Sequence, residues 1–174
     1  QIQPVWRADN PGKGRFREFY QCDVDVVGAS GPAVEAEVVG AVAECLDRLG
    51  FGSSEIRINH RQLLRAFVET AGLDPEQEAS AIVAVDKLDK VGREAVLEEM
   101  VAKGIEPAMG DRLLGLILSE PTLDAARSAV GDHEGGRKAL EELERVLRLA
   151  AATPAADKLA FTPTLARGPW DRTW

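Results

Sequence analysis

The 174-residue chain has few of the residues that build metal sites or disulfide frameworks. Its two cysteines, Cys22 and Cys45, lack Cys-x-x-Cys spacing and lie on predicted apolar faces, so we expect them to pack as small hydrophobic side chains. Its two histidines, His60 and His133, are far apart and have no second histidine or cysteine nearby, so we expect them to be structural or exposed. The sequence therefore indicates neither a disulfide nor a protein-bound metal.

Long apolar runs and excess positive charge are also missing. No apolar run approaches the ~20 residues that span a bilayer and no charged-then-apolar leader opens the chain, so we expect a cytosolic protein without a membrane partner. The formal net charge of −8 argues against a general nucleic-acid binder held by charge alone, although it allows local basic contacts. The chain starts without a methionine inside a strand-like run and stops abruptly at Trp174, which predicts a piece of something longer.

What the sequence does have is a group of polar and aromatic residues near its start. Residues 5–9 and 16–27 are β-prone runs, and the turn-rich segment at 10–14 between them predicts an antiparallel hairpin with a basic, flexible loop. Arg7 of the first run projects beside one face of the second run. By period-2 alternation that face carries Arg15, Arg17, Phe19, Gln21, Asp23 and Asp25.

The opposite face of the second run, with Phe16, Tyr20 and Val24, is predicted to be a core face. Charged strand faces are common, so the pattern alone favours a solvated hairpin whose arginines pair with Asp23 and Asp25 over a ligand site. An aromatic ring near an amide and a carboxylate nevertheless suits a small polar ligand, and that alternative stays open.

The rest of the chain predicts an α+β fold. A helix with Pro32 in its first turn and an apolar stripe from Val34 to Leu49 is followed by a short strand at 55–59, which fits an antiparallel sheet with a helix on one side. Helical sequence then continues until a β-like run at 158–162 rejoins the sheet. The predicted helices lie at 61–71, 74–85, 93–102, 107–118, 121–130 and 137–152, with a loop at 131–136.

Two sets of motifs carry a resemblance to a known family. Arg7-Ala8-Asp9, a loop, and then Arg15 to Phe19 resemble motif 2 of the class II aminoacyl-tRNA synthetases. RADNP followed by GRFREFYQCDVD is similar to histidyl-tRNA synthetases of the eukaryotic-like form, and EIRINHRQLL, AIVAVDKLDKVGREAVLEEMVAKGI and FTPTLARG follow in family order. The resemblance implies that residues 1–60 are part of a class II catalytic domain and that 61–156 are the mostly helical insertion. Residues 157–174 would then return to the catalytic domain, where the chain is truncated.

The resemblance also implies a reaction and its partners. Family members activate histidine with ATP, which arrives with Mg²⁺, and pass the histidyl group to tRNA; full-length members are homodimers and their insertion is associated with the tRNA acceptor arm. Arg7 and Arg167 would be the catalytic cations. The implied ATP-binding residues are Arg7, Asp9, Arg15 and Phe19, and the implied histidine-binding residues are Gln21, Asp25 and Arg167.

The sequence departs from the family pattern after Gly168. The family continues there with Leu-Asp-Tyr-Tyr-Thr-Gly, whose tyrosines line the histidine pocket, whereas this chain has residues 169–174, PWDRTW. Motifs 1 and 3 are also outside the chain, so we expect it to be weakly active or inactive alone and to self-associate through uncovered apolar faces. The alternatives are a catalytically silent paralogue, like the regulatory subunit of ATP phosphoribosyltransferase, and, with less support, a bare helical binding module.

Overall fold

The computed structural model describes residues 1–8 and 10–166. Seven α-helices and four short strands make up this part of the chain. The strands are β1 (Ile2–Trp6), β2 (Glu18–Cys22), β3 (Ile56–Ile58) and β4 (Leu159–Phe161). The helices are α1 (Pro32–Arg48), α2 (Arg61–Ala71), α3 (Glu78–Val85), α4 (Leu88–Ala102), α5 (Pro107–Ile117), α6 (Leu123–Val130) and α7 (Glu134–Ala150), with a 3-10 turn (Pro75–Gln77) before α3.

The predicted antiparallel hairpin is confirmed, with a register that runs from Ile2 opposite Cys22 to Trp6 opposite Glu18. The second strand is shorter than its alternating sequence predicts. The ladder ends where the backbones of Gln1 and Asp23 exchange hydrogen bonds of 2.9 and 2.8 Å. Alternation extends to residue 27, but a strand also needs a hydrogen-bonded neighbour, which alternation cannot reveal.

The apolar face of the hairpin is uncovered in the described chain. Tyr20 is 77% exposed and Phe16 is 65% exposed, and Trp6 of β1 is exposed to a similar extent. The prediction that this face packs as a core is therefore wrong for the described residues. The separate expectation that the chain leaves apolar faces uncovered is confirmed here, where Phe16, Tyr20 and Val24 are all exposed.

Helix α1 has the predicted bounds but buries a different face. Its buried residues are the small Ala36, Gly40 and Ala43, and the helix packs mainly against α7 rather than against the hairpin. A Cβ on Gly40 would lie 2.9 Å from the Cβ of Thr153, so the two segments approach closely. The larger apolar stripe faces partly to solvent. Both Cys22 and Cys45 are exposed and free, so the prediction that they pack is wrong.

The main core lies among the helices after β3. Phe67 of α2 and Leu140 of α7 are fully buried, and α2 packs against both α7 and α5. The predicted end of α2 is confirmed, because Gly72 adopts a left-handed conformation at φ 92. Helix α4 contains a non-helical Gly92, so its regular part begins at the predicted Arg93. Which domain each segment belongs to stays a prediction.

Helix α7 begins at Glu134, inside the predicted loop at 131–136. The glycines of this segment favour a loop in the sequence, but Gly136 is helical and buried. A Cβ there would lie 2.9 Å from the Cβ of Ala66, so the glycine permits close packing of α7 on α2.

Strand β4 returns the chain to β3 as predicted. The two strands pair in parallel, with Ile58 opposite Phe161, and the Asn59 side chain donates hydrogen bonds to the carbonyls of Pro163 and Leu165 at 3.1 and 3.0 Å. The α+β class is confirmed. The described strands nevertheless form two separate two-stranded sheets, one of them parallel, where the sequence predicted one antiparallel sheet. None of the described helices is both long and apolar enough to span a bilayer.

Both histidines are structural, and together they form what we call the histidine braces. Nδ1 of His60 accepts the Gln62 N–H at the start of α2, and its Nε2 lies 3.0 Å from Glu142 of α7. Reciprocally, Nδ1 of His133 accepts a backbone N–H at the start of α7, and its Nε2 lies 2.6 Å from Glu69 of α2. Since each Nδ1 accepts, each Nε2 carries the proton and donates to its carboxylate.

Candidate functional site

The hairpin register brings the predicted site residues onto one face. In an antiparallel pair, directly opposed residues point to the same side of the sheet. Gln3 is opposite Gln21 and Val5 is opposite Phe19, so Gln21 and Phe19 project to the same side as the odd-numbered residues of β1. Arg7 continues this alternation just beyond β1, where its backbone N–H donates to the Arg17 carbonyl at 2.9 Å.

Three predicted residues are in direct contact on this face. The Arg7 guanidinium carbon lies 5.0 Å from the centroid of the Phe19 ring, which is within cation–π range. Nη2 of the same side chain donates to Oε1 of Gln21 at 2.8 Å. A permanent cation, an aromatic ring and an amide therefore lie within one small area, and these are groups that can bind an anion, a flat ring and a hydrogen-bond donor.

An additional residue, Asp23, extends this contact chain. Nε2 of Gln21 donates to Oδ1 of Asp23 at 2.5 Å, and both residues are half-buried. Sequence reasoning placed Asp23 on the correct face but gave it no role at a site. The available signal was its position, two residues after Gln21 in the same alternation.

Of the other predicted site residues, the structure describes Asp25 and Arg15. Asp25 is exposed and follows the end of β2. Arg15 lies in the hairpin turn, where it exchanges two 3.0 Å backbone hydrogen bonds with Gly12, and Gly14 supplies the positive φ of 76. Asp9 and Arg167 lie outside the described residues. The structure thus brings together Arg7, Phe19 and Gln21.

Two grooves lie away from the hairpin in the part of the chain that the structure describes. A groove of about 480 Å³ between α1, α7 and the end of β3 is lined by Val38, Ile58 and Leu143, among others, and a more polar one of about 460 Å³ lies at residues 52–55 and 157–160. Neither is lined by hairpin residues. Among the described residues, no cluster of three or more histidines, cysteines or acids could hold a metal ion.

Comparison with known proteins assigns the chain to a family. The family model described as histidyl-tRNA synthetase matches residues 2–170. The chain belongs to the histidyl-tRNA synthetase family. The histidine–tRNA ligase of Gloeobacter violaceus is 43% identical over 156 residues, which cover 87% of this chain and 33% of that protein. The cytoplasmic histidine–tRNA ligase of Arabidopsis thaliana is 36% identical, over 97% of this chain and 20% of that protein.

Solved structures show the same fold. The crystal structure of histidyl-tRNA synthetase from Nostoc sp. PCC 7120 matches with a TM-score of 0.77 and 24% identity, covering 97% of this chain and 40% of that one. An ATP phosphoribosyltransferase regulatory subunit/histidyl-tRNA synthetase from Bacillus halodurans C also gives a TM-score of 0.77, at 19% identity, with coverage of 96% and 43%. The chain spans about a third of the length of the first histidine–tRNA ligases it matches.

Proposed function

We propose that the chain is part of a histidine–tRNA ligase and that its hairpin forms one wall of the site for ATP and histidine. The observation that carries the proposal is the contact set of Arg7 with Phe19 and Gln21. These are the residues that family resemblance assigns to the α-phosphate, the adenine ring and the histidine substrate. Family membership supports the assignment.

The chemistry explains why a cation belongs at this point. Activation requires the histidine carboxylate to attack the α-phosphate of ATP, which brings two anions together. The planar guanidinium of Arg7 can hold phosphate oxygens through two parallel hydrogen bonds and stabilise the charge that develops on them. Arginine also remains charged at any working pH, so this stabilisation does not depend on a proton.

The observed position of Arg7 implies that it moves when ATP binds. Its guanidinium covers one face of the Phe19 ring. If adenine stacks on that face, Arg7 has to leave the ring and swing toward the phosphates. Because Arg7 is exposed, this rotation needs no rearrangement of the strands. We therefore expect the contact with Gln21 to be exchanged for contacts with phosphate and histidine.

The remaining parts of the proposal follow family resemblance. Asp9 would order the nucleotide, Arg15 would face the triphosphate, and Asp25 and Arg167 would contact histidine. ATP would enter with Mg²⁺ as part of the substrate complex, and tRNA would accept the histidyl group. The proposal also includes a homodimer, a cytosolic location, and the division into catalytic residues 1–60 and 157–174 and an inserted helical module at 61–156.

Ligand-induced stabilisation tests the proposed site. We expect millimolar ATP or histidine to raise the Tm of the wild-type chain, since a ligand that binds only the folded state stabilises it. Arg7→Ala should abolish the shift with ATP. Glu18→Ala, on the opposite face of the hairpin, is the matched control and should retain it. Absence of any shift in the wild type would remove the proposed site, and ATP–pyrophosphate exchange then tests the chemistry directly.

A silent regulatory paralogue is the second candidate, because one structural match is described as a regulatory subunit/histidyl-tRNA synthetase. At 19% identity this match supports only the fold. Such a paralogue need not keep the adenylation residues, yet Arg7, Gln21, Asp25 and Arg167 are all present. Histidine binding without pyrophosphate exchange in the full-length protein would favour the regulatory alternative.

A further inference from the structure

We propose that Asp23 is a positioning residue for histidine recognition, because it fixes the orientation of the Gln21 amide. The inference rests on the proposed function, in which Gln21 contacts the histidine substrate. Asp23 would act through Gln21 rather than touch the reacting atoms.

The orientation follows from the hydrogen-bonding capacity of the two neighbours. An amide side chain has an oxygen that only accepts and a nitrogen that donates. Arg7 has only donors and lies 2.8 Å from one end of the Gln21 amide, whereas an ionised Asp23 has only acceptors and lies 2.5 Å from the other. Only one of the two amide orientations satisfies both neighbours. In that orientation Oε1 faces Arg7 and Nε2 faces Asp23.

The backbone holds Asp23 in the required place. Its N–H donates to the Gln1 carbonyl at 2.8 Å, and its carbonyl accepts from the Gln1 ammonium at 2.9 Å, so the hairpin ladder continues through this residue. Its side chain therefore projects on the same face as Gln21, one strand repeat further on. The half-buried position of both side chains limits competition from water.

The fixed amide has a consequence for the ligand. An amide oxygen has two lone pairs, and in the ligand-free chain Arg7 uses one of them. The second can accept from the α-ammonium or an imidazole N–H of histidine, both of which are donors. If the amide were reversed, its NH₂ group would face those donors and no hydrogen bond could form. Asp23 thus selects for a ligand that donates at this point.

Three variants test the inference, with L-histidine and ATP as the probes. Asp23→Ala should weaken histidine binding measured by calorimetry about tenfold, the size expected for one hydrogen bond to a charged group. ATP affinity should be unchanged. Asp23→Asn should recover most of the histidine affinity, because its Oδ1 can still accept from Nε2. Glu18→Ala removes a carboxylate from the other face of β2 and should have no effect.

A ligand-free measurement separates this inference from the proposed function. The side-chain amide resonances of Gln21 should shift in Asp23→Ala, and stay near their wild-type positions in Asp23→Asn. Unchanged resonances in Asp23→Ala, or wild-type histidine affinity in that variant, would overturn the inference. A wild-type chain that binds no histidine would instead refute the proposed histidine site, and the resonances would still decide whether Asp23 orients Gln21.

Discussion

Replacing Gly136 by alanine should destabilise the chain, although the residue lies in a helix where alanine is intrinsically preferred. The new Cβ would lie 2.9 Å from the Cβ of Ala66 and 3.0 Å from both Cβ and Cγ1 of Val130. Carbon atoms pack best at about 3.5–4.0 Å, so the overlap is about half an ångström or more at three contacts. Ala66 is 0% exposed and Val130 is 2% exposed, so neither can move toward solvent.

Overpacking of this kind costs about 1–3 kcal/mol, and the higher helix propensity of alanine offsets up to about 1 kcal/mol of it. We therefore expect a net loss of about 1–2 kcal/mol, which corresponds to a Tm lower by about 2–8 °C in a chain of this size. Urea unfolding followed by far-ultraviolet circular dichroism measures it. The midpoint should fall while the slope stays unchanged.

Gly115→Ala is the matched control for the same substitution. Gly115 also lies in a helix, but it is exposed and a Cβ there would have nothing within 4 Å. Without a steric clash, the substitution only adds the higher helix propensity of alanine, so this variant should be more stable than the wild type by about 0.5–1 kcal/mol. If Gly136→Ala is as stable as Gly115→Ala, α7 does not approach α2 as closely as the structure shows.

Three other expectations concern a carboxylate, a helix cap and the hairpin surface. The His133 N–H and the Arg65 guanidinium lower the pKa of Glu69, so its stabilisation is present above its unfolded pKa and lost as pH falls through the folded pKa. Glu69→Gln should therefore differ most from wild type in urea midpoint near neutrality and least in acid. Thr122 accepts a backbone N–H at the start of α6, so Thr122→Ala should lose about 1 kcal/mol in urea unfolding while Thr122→Ser retains it. Light scattering should show concentration-dependent association that Tyr20→Lys reduces; a wild-type monomer at high concentration would contradict this.

The sequence predicted the elements whose causes are local. The end of α2 at Gly72 depends on the left-handed conformation that glycine adopts without strain. The turn before α3 begins at a capping box of Asp74 and Gln77, residues three apart. In both cases neighbouring residues alone determine the boundary, and the pattern identified it.

The features that the sequence did not predict depend on distant partners. Helix α1 buries its small residues because Gly40 meets Thr153, a residue more than a hundred positions later. Strand β3 also depends on a distant segment, because its parallel partner is β4. At the candidate site, alternation placed Gln21 and Asp23 on one face, but the direction of each hydrogen bond needed side-chain geometry. Residue type specifies what a group can bind, and only the fold specifies which group it meets.

The spacing of the histidine braces sets the register of two antiparallel helices. Glu69 lies nine positions after His60, and Glu142 lies nine positions after His133, so the two braces are attached at equally spaced points on α2 and on α7. Nine residues span about 13.5 Å of helix. A slide of either helix by one turn, about 5.4 Å, would break both contacts between the helices at once. We therefore expect α2 and α7 to open as one cooperative unit in native-state hydrogen exchange, with a shared opening free energy along both helices.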